Sequence, residues 1–481
     1  MNRESRFVAK SPTGVNGLDE ITRGGLPAGR NTLVCGGPGS GKTVLAMKYL
    51  AAGALQYDEP GLCVTFEENA KELMENMRSL GCDAQELIAR KALAIDHVQL
   101  GERELESGNY DLGALFIRID HGITSIGATR VVLDTIEALF GNLANEAIVR
   151  SELRRLFGWL KQRGVTTVIT AETGERTLTR HGLEEYVADC VILLDHRVEN
   201  EISTRRLRIV KYRGSAHGTN EYPFLLDENG PTVMPITSAG LTHIASSERI
   251  SSGNLGLDQM LADSGFFRGS SILISGTAGT GKSTFAMQFA TAACARSEQA
   301  LYFAFEESPS QIERNMRSVG IDVSTWISQH KLRIVAARPT SAGLESHLAR
   351  IHQDIDDFKP SVVVFDPISN LVAAGNGSSA KSMLTRLIDY LKLQGITALF
   401  TALCENRQDS GAAIGIFSLM DAWILLGTGC GKASGFGNSE RMRTIQVLKS
   451  RGMAHAQDTR FLTFSEAGIQ IFAEPTPAAK Q

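Results

Sequence analysis

A mainly parallel β-sheet flanked by helices, built twice in tandem, is the α/β fold this sequence predicts. Three observations carry the expectation. Short continuous apolar runs alternate with helix-like stretches, the two halves repeat the same landmarks in the same order, and each half holds a glycine-rich segment between an apolar run and a helix. Runs without polar alternation suit strands buried on both faces, as in a parallel sheet covered by helices.

In the first copy the strand candidates are Thr32–Cys35, Gly61–Phe66, Val131–Leu133, Val165–Thr170, Val191–Leu194 and Leu207–Val210. The glycine-rich segments follow Thr32–Cys35 and its counterpart Ile272–Ser275. They read Gly36-Gly37-Pro38-Gly39-Ser40-Gly41-Lys42-Thr43 and Gly276-Thr277-Ala278-Gly279-Thr280-Gly281-Lys282-Ser283. Both fit G-x-x-x-x-G-K-[ST], the phosphate-binding loop. Its glycines let backbone N–H groups wrap phosphates, its Lys reaches the terminal ones, and its Thr or Ser hydroxyl ligates Mg²⁺. Two such matches in the same surroundings predict two nucleoside triphosphate sites, with ATP and Mg²⁺ as ligands.

The duplication runs through the whole chain. The loop lysines, Lys42 and Lys282, stand 240 residues apart. Val64-Thr65-Phe66-Glu67-Glu68 answers to Phe303-Ala304-Phe305-Glu306-Glu307, Val131–Asp134 to Val363–Asp366, and Lys211-Tyr212-Arg213-Gly214 to Lys449-Ser450-Arg451-Gly452. The boundaries expected are a first domain over 1–236, a linker over 237–252, a second domain over 253–472 and a disordered tail over 473–481.

Phosphoryl transfer needs a held metal, an activated nucleophile and neutralised charge. Asp134 and Asp366 end apolar strands in the order expected of metal-holding carboxylates opposite Thr43 and Ser283. Adjacent strand residues point to opposite faces, so one Glu of each pair Glu67-Glu68 and Glu306-Glu307 can face the terminal phosphate and take a proton. Lys211 with Arg213, and Lys449 with Arg451, share a face at i, i+2 spacing. They form a phosphate clamp or an exposed charge pair, for their own site or for a neighbouring subunit.

The bulk numbers exclude several classes. At 481 residues, 43% hydrophobic and 21% charged, the chain is that of a globular protein of two domains. A net charge of −4 argues against nucleic acid as a partner, and no segment has the length and apolarity of a membrane span. Seven scattered cysteines without a C-x-x-C pair argue against a disulfide framework or zinc site, and for a cytoplasmic protein.

With two phosphate loops, F-E-E twice, K-x-R-G twice and Glu221-Tyr222-Pro223-Phe224, the chain from Gly14 to Phe472 resembles the RecA-like ATPases. Within them it is similar to the tandem-domain KaiC circadian-clock proteins. The resemblance implies a two-tiered homohexamer with ATP at the subunit interfaces and a regulatory protein partner. It implies that Glu67 and Glu306 are general bases, that Glu306 also serves the metal, and that Lys211, Arg213, Lys449 and Arg451 reach the neighbour's nucleotide. Ser79, Ser215 and His217 become first-tier ATP contacts, and Arg443 and His455 second-tier ones.

In the family the first tier is a slow ATPase, and the second phosphorylates a Ser-Thr pair just before a D-x-x-I-L-L strand. Here that strand is Asp421–Leu426, and Phe417-Ser418 stands where the pair belongs. Ser418 is therefore the one candidate phosphoacceptor. Val319 replaces an aromatic expected beside the second nucleotide, and the chain ends soon after Phe472, short of the tail that clock members use to engage an activator. The expectation is a KaiC-like regulatory ATPase. The alternative is a DNA-dependent ATPase of the RecA/RadA kind, since one fold serves both.

Overall fold

The computed structural model describes residues 8–79, 82–98, 112–139, 146–174, 177–179, 188–199, 202–227, 230–235, 245–341, 343–373, 377–404, 417–430, 441–465 and 468–473. The expected tail, apart from residue 473, lies outside the described residues. The chain divides into two compact units, Met1–Ile236 and Thr237–Gln481.

The first unit opens with a small hairpin, β1 (Lys10–Ser11) and β2 (Leu26–Pro27), around the short helix α1 (Leu18–Ile21). Its main sheet takes β3 (Asn31–Gly36), β4 (Gly61–Thr65), β5 (Leu93–His97), β6 (Arg130–Asp134), β7 (Thr166–Glu172), β8 (Cys190–Glu199), β9 (Ile202–Tyr212), β10 (Glu221–Asp227) and β11 (Gly230–Val233). The spatial order is β11-β10-β9-β8-β3-β7-β6-β4-β5. The strands from β8 to β5 are parallel, and β9, β10 and β11 return antiparallel.

Side-chain alternation along the parallel strands feeds two cores. Val34, Cys63, Val132, Val168 and Ile192 pack against α2 (Lys42–Gln56), α3 (Ala70–Ser79) and α4 (Ala84–Ala89) through Leu45, Leu50, Leu73 and Leu87. Leu33, Leu62, Val131, Leu133 and Ile169 face α5 (Leu112–Ile126) and α6 (Glu146–Gln162) through Leu115, Ile119, Leu153 and Leu156.

The run Leu207–Val210 differs from its expectation. It lies in β9, antiparallel to β8, where Leu207 and Ile209 are buried while Arg206 and Arg208 are partly exposed. A strand reached by a hairpin needs no covering helix on its second face, so alternation replaces an apolar run.

The second unit repeats the plan. A hairpin of β12 (Arg249–Ile250) and β13 (Phe266–Phe267) encloses α7 (Leu255–Met260). The main sheet runs β16-β15-β17-β18-β14-β19-β20-β21-β22. Its strands are β14 (Ser271–Gly276), β15 (Ala300–Ala304), β16 (Leu332–Ala336), β17 (Val362–Asp366), β18 (Thr397–Leu403), β19 (Ala422–Cys430), β20 (Arg441–Ser450), β21 (Arg460–Ser465) and β22 (Gly468–Phe472). The helices are α8 (Lys282–Ala295), α9 (Pro309–Arg317), α10 (Ser324–Ser328), α11 (Leu344–Phe358), α12 (Ile368–Ala373) and α13 (Gly377–Leu393). Phe303, Phe365 and Phe400 stack across β15, β17 and β18 with centroids 5.2 and 5.0 Å apart. Two nearly identical sheets are what a duplicated apolar pattern yields. Among the described residues, no helix is long and apolar enough to cross a membrane.

Candidate functional site

Each phosphate loop joins the central strand to the helix behind it, β3 to α2 and β14 to α8. The helices begin at Lys42 and Lys282, preceded by Gly41 and Gly281 with φ of 98° and 97°. Only glycine holds that left-handed turn cheaply, and a Cβ on Gly281 would lie 2.1 Å from the Phe464 ring. Gly39 and Gly279 share the left-handed conformation, φ 68° and 75°.

Lys42 Nζ donates to the carbonyls of Gly36 at 2.8 Å and Gly37 at 3.2 Å, and Lys282 Nζ donates to Thr277 at 2.8 Å. Both ammonium groups thus lie over the mouth of their own loop. Burial lowers the pKa of Lys282 from the usual amine value, against the raising pull of Asp366 and Glu306. Ser40 is buried, and Thr280 donates to the Thr277 carbonyl at 2.8 Å.

The carboxylates arrive from β6 and β17, each one strand beyond the neighbour of its loop strand, β7 or β18. Thr43 Oγ1 donates to Asp134 Oδ2 at 2.9 Å, and Thr170 on β7 donates to the other oxygen of Asp134. Burial raises the Asp134 pKa, opposed by these two hydroxyls and by Lys42, and reinforced by Glu67. In the second unit Thr401 on β18 donates to Asp366 Oδ1, while Tyr302 Oη donates to Oδ2 at 2.5 Å.

The two glutamates of each pair take different partners, and they lie in a bend beyond β4 and β15 instead of on a strand. Glu67 Oε1 accepts from Thr135, next to Asp134, at 2.8 Å, and Glu306 Oε1 accepts from Asn370 on α12 at 3.1 Å. Glu68 and Glu307 turn to the following helix, where Asn76 and Asn315 donate to them at 3.1 and 3.2 Å. The first Glu of each pair thus bonds to the segment that follows β6 or β17, and the second to the helix that follows its own strand.

The cationic pairs stand at the ends of β9 and β20. Lys449 Nζ donates to the carbonyls of Phe417 at 3.2 Å and Ser418 at 3.4 Å, and Arg451 Nη2 donates to Ser418 O at 2.6 Å. Ser418 is exposed, and Phe417 stacks on Trp423 with centroids 4.5 Å apart. In the first unit Lys211 sits opposite Val191, and Arg213 lies 4.0 Å from the buried Asp189. Ser215 accepts from Lys10 Nζ at 2.8 Å, and the His217 ring stacks on Tyr212.

Arg443 Nε donates to the Gly279 carbonyl at 3.2 Å, so it braces the second loop directly. His455 lies half-buried beyond the Gly452 turn, and Val319 packs partly buried against the core. Ser79 ends α3, and its side chain lies outside the described residues.

Several contributors escape sequence reading. Arg205 Nε donates to Gly39 O at 3.0 Å, matching Arg443 in the second copy. Its offset from Arg443 is that of the K-x-R pairs, the one signal that could have found it. Glu137 Oε1 accepts from Glu172 N at 2.5 Å, and the same place in the second copy is filled by Ser369 and Leu403 N at 2.8 Å.

Two phosphate loops, each with a hydroxyl, a strand-end carboxylate and a second carboxylate beside it, define a tandem RecA-like P-loop ATPase. The family profile described as "ATPase: KaiC" matches residues 11–238 and 250–476. The chain belongs to that family.

A relative named Circadian clock protein KaiC2, from Synechocystis sp., is 51% identical over 98% of this chain and 82% of its own length. The Circadian clock oscillator protein KaiC of Synechococcus elongatus is 38% identical over 98% of this chain and 90% of its own. Circadian clock protein KaiC3 from Synechocystis sp. is 38% identical over 98% and 93%.

Proposed function

We propose that both units bind ATP with magnesium and hydrolyse it within a hexameric ring, and that the second unit also phosphorylates Ser418, making the protein a clock-type regulator. The observation that carries the reading is the 2.9 Å contact between Thr43 and Asp134. It joins the loop hydroxyl to the strand-end carboxylate, the oxygen-only pair that suits magnesium. Bound there, magnesium neutralises charge on the phosphates.

In the first unit Glu67 takes a proton from water as its oxygen bonds to the γ-phosphorus. The bond from that phosphorus to the β-bridging oxygen breaks, and ADP and phosphate leave. In the second unit the same exchange runs with the Ser418 hydroxyl, from the adjacent copy, in place of water. Glu306 receives the proton, and the γ-phosphoryl group ends on Ser418 Oγ. Lys449 and Arg451, already on the Ser418 backbone, bring positive charge to the acceptor.

Phosphate release from ATP by purified protein tests the reading. Glu67→Gln should lower first-site turnover by about 10²–10⁴-fold, the usual contribution of a positioned base. Unchanged release with both Glu67→Gln and Glu306→Gln would overturn it. Native mass measurement with and without ATP tests the ring.

A further inference from the structure

The two metal-side carboxylates are held by different donors. In the first unit Asp134 accepts from Thr43, the loop residue itself, and from Thr170. In the second, Thr401 keeps the place of Thr170, but Tyr302 replaces the loop hydroxyl at 2.5 Å, and no hydrogen bond joins Ser283 to Asp366.

The difference traces to one position in the repeat. Tyr302 on β15 sits opposite Val364, with Asp366 two residues further along β17, so both side chains leave the same face of the sheet. The corresponding residue on β4 is Cys63, opposite Val132 with Asp134 two residues on. Both positions are buried, Tyr302 at 1% exposure and Cys63 at 0%. A cysteine is too short to cross to the carboxylate; a phenol reaches it.

A loop hydroxyl that ligates a metal must turn away from the carboxylate when the ion enters. A phenol hydroxyl from the sheet interior has no such second task, and it remains a donor at neutral pH. We propose that Tyr302 is a positioning residue that fixes Asp366 for magnesium–nucleotide in the second site by a donor independent of the loop. In the first site Thr170 likewise holds one oxygen of Asp134 from outside the loop, but the other oxygen is held by the loop's own Thr43. The inference rests on the magnesium reading above and deepens it, since it makes the two tiers differ in how tightly the metal couples to the nucleotide.

The test uses the full chain and a fluorescent non-hydrolysable ATP analogue, titrated with magnesium and again with EDTA. Lys42→Ala confines binding to the second site, and Lys282→Ala to the first. Tyr302→Phe keeps the buried ring and removes one oxygen. It should cut the magnesium-dependent tightening at the second site by roughly tenfold, the lower end for loss of a partner behind a metal ligand. Affinity in EDTA, and the tightening at the first site, should stay unchanged.

Tyr302→Cys installs the first copy's residue and should give the same selective loss, which keeps the idea exposed if the Phe variant folds poorly. Equal weakening with and without magnesium, or no change in either, overturns the inference. If magnesium fails to tighten binding even where Tyr302 is intact, the metal reading itself falls.

Discussion

Arg451 donates through Nη2 to the carbonyl of Ser418 at 2.6 Å, and its Nη1 lies 3.7 Å from Asp421, the residue just before β19. One guanidinium therefore ties the candidate acceptor to the end of β20, with Lys449 beside it. The first unit has an equivalent Arg213 to Asp189 approach at 4.0 Å.

This arrangement predicts how phosphorylation responds to substitution. Ser418→Ala should abolish labelling from γ-labelled ATP. Arg451→Ala should slow it by about tenfold or more, as expected when a charge-assisted bond of about 1.5–3 kcal/mol is lost. Hydrolysis at the first site should persist in both. Phosphopeptide mapping reads the outcome, and label retained in Ser418→Ala would place the acceptor elsewhere.

Arg205 gives a second prediction. Its bond to Gly39 O at 3.0 Å braces the first loop from β9, across the intervening β8. Arg205→Ala should weaken ATP binding at the first site by about tenfold, roughly 1.4 kcal/mol, without changing the second. Calorimetry in the Lys282→Ala background measures it. An unchanged affinity would make the arginine a surface residue.

Arg205 also shows what the sequence conceals. The loops, Asp134, Asp366, the Glu pairs and the K-x-R pairs were legible because each is a short pattern occurring twice, and the sheet followed from apolar runs. The partners of those residues were not. Thr170 and Thr401 reach the carboxylates only because β7 and β18 are spatial neighbours of β6 and β17. Tyr302 and Cys63 look alike to an apolar pattern, and only cross-strand register reveals that one of them is a donor to Asp366. Phe417 read as a lost acceptor; the structure adds that it stacks on Trp423.

Packing around Arg130 reverses an ordinary rule of helix stability. Gly53 lies inside α2, where alanine would normally gain about 1 kcal/mol. A Cβ there would meet Arg130 Cδ at 2.5 Å. The guanidinium cannot retreat easily, because Nε holds Glu59 at 2.6 Å and Nη1 holds the Tyr49 carbonyl at 2.8 Å. Overpacking costs about 1–3 kcal/mol, so Gly53→Ala should lower the melting temperature of the first unit. The fall should be about 2–4 °C per kcal/mol for a unit of this size. A rise in calorimetry would show that the arginine yields.

The second unit carries a partly buried, pH-sensitive stack. His352 on α11 lies against Tyr390 on α13 with ring centroids 3.8 Å apart, and its Nε2 is buried without a hydrogen-bond partner. Burial lowers its pKa from 6.5 to about 4, with nearby Asp356 pulling it up and Arg386 pushing it further down. Tyr390 Oη donates to Asp356 at 2.6 Å, so that carboxylate is already engaged. Between the unfolded value of 6.5 and the folded value of about 4, the unfolded chain holds more protons than the native one. Stability is therefore lost as pH falls through that window and levels off below it. His352→Phe keeps an aromatic on Tyr390 and cannot titrate. Relative to that variant, the parent protein should lose stability between about pH 6.5 and 4 and run parallel outside that range. Denaturant melts of both proteins across the window provide the measurement. Curves that stay parallel throughout would mean that His352 takes up its proton equally well in the native stack.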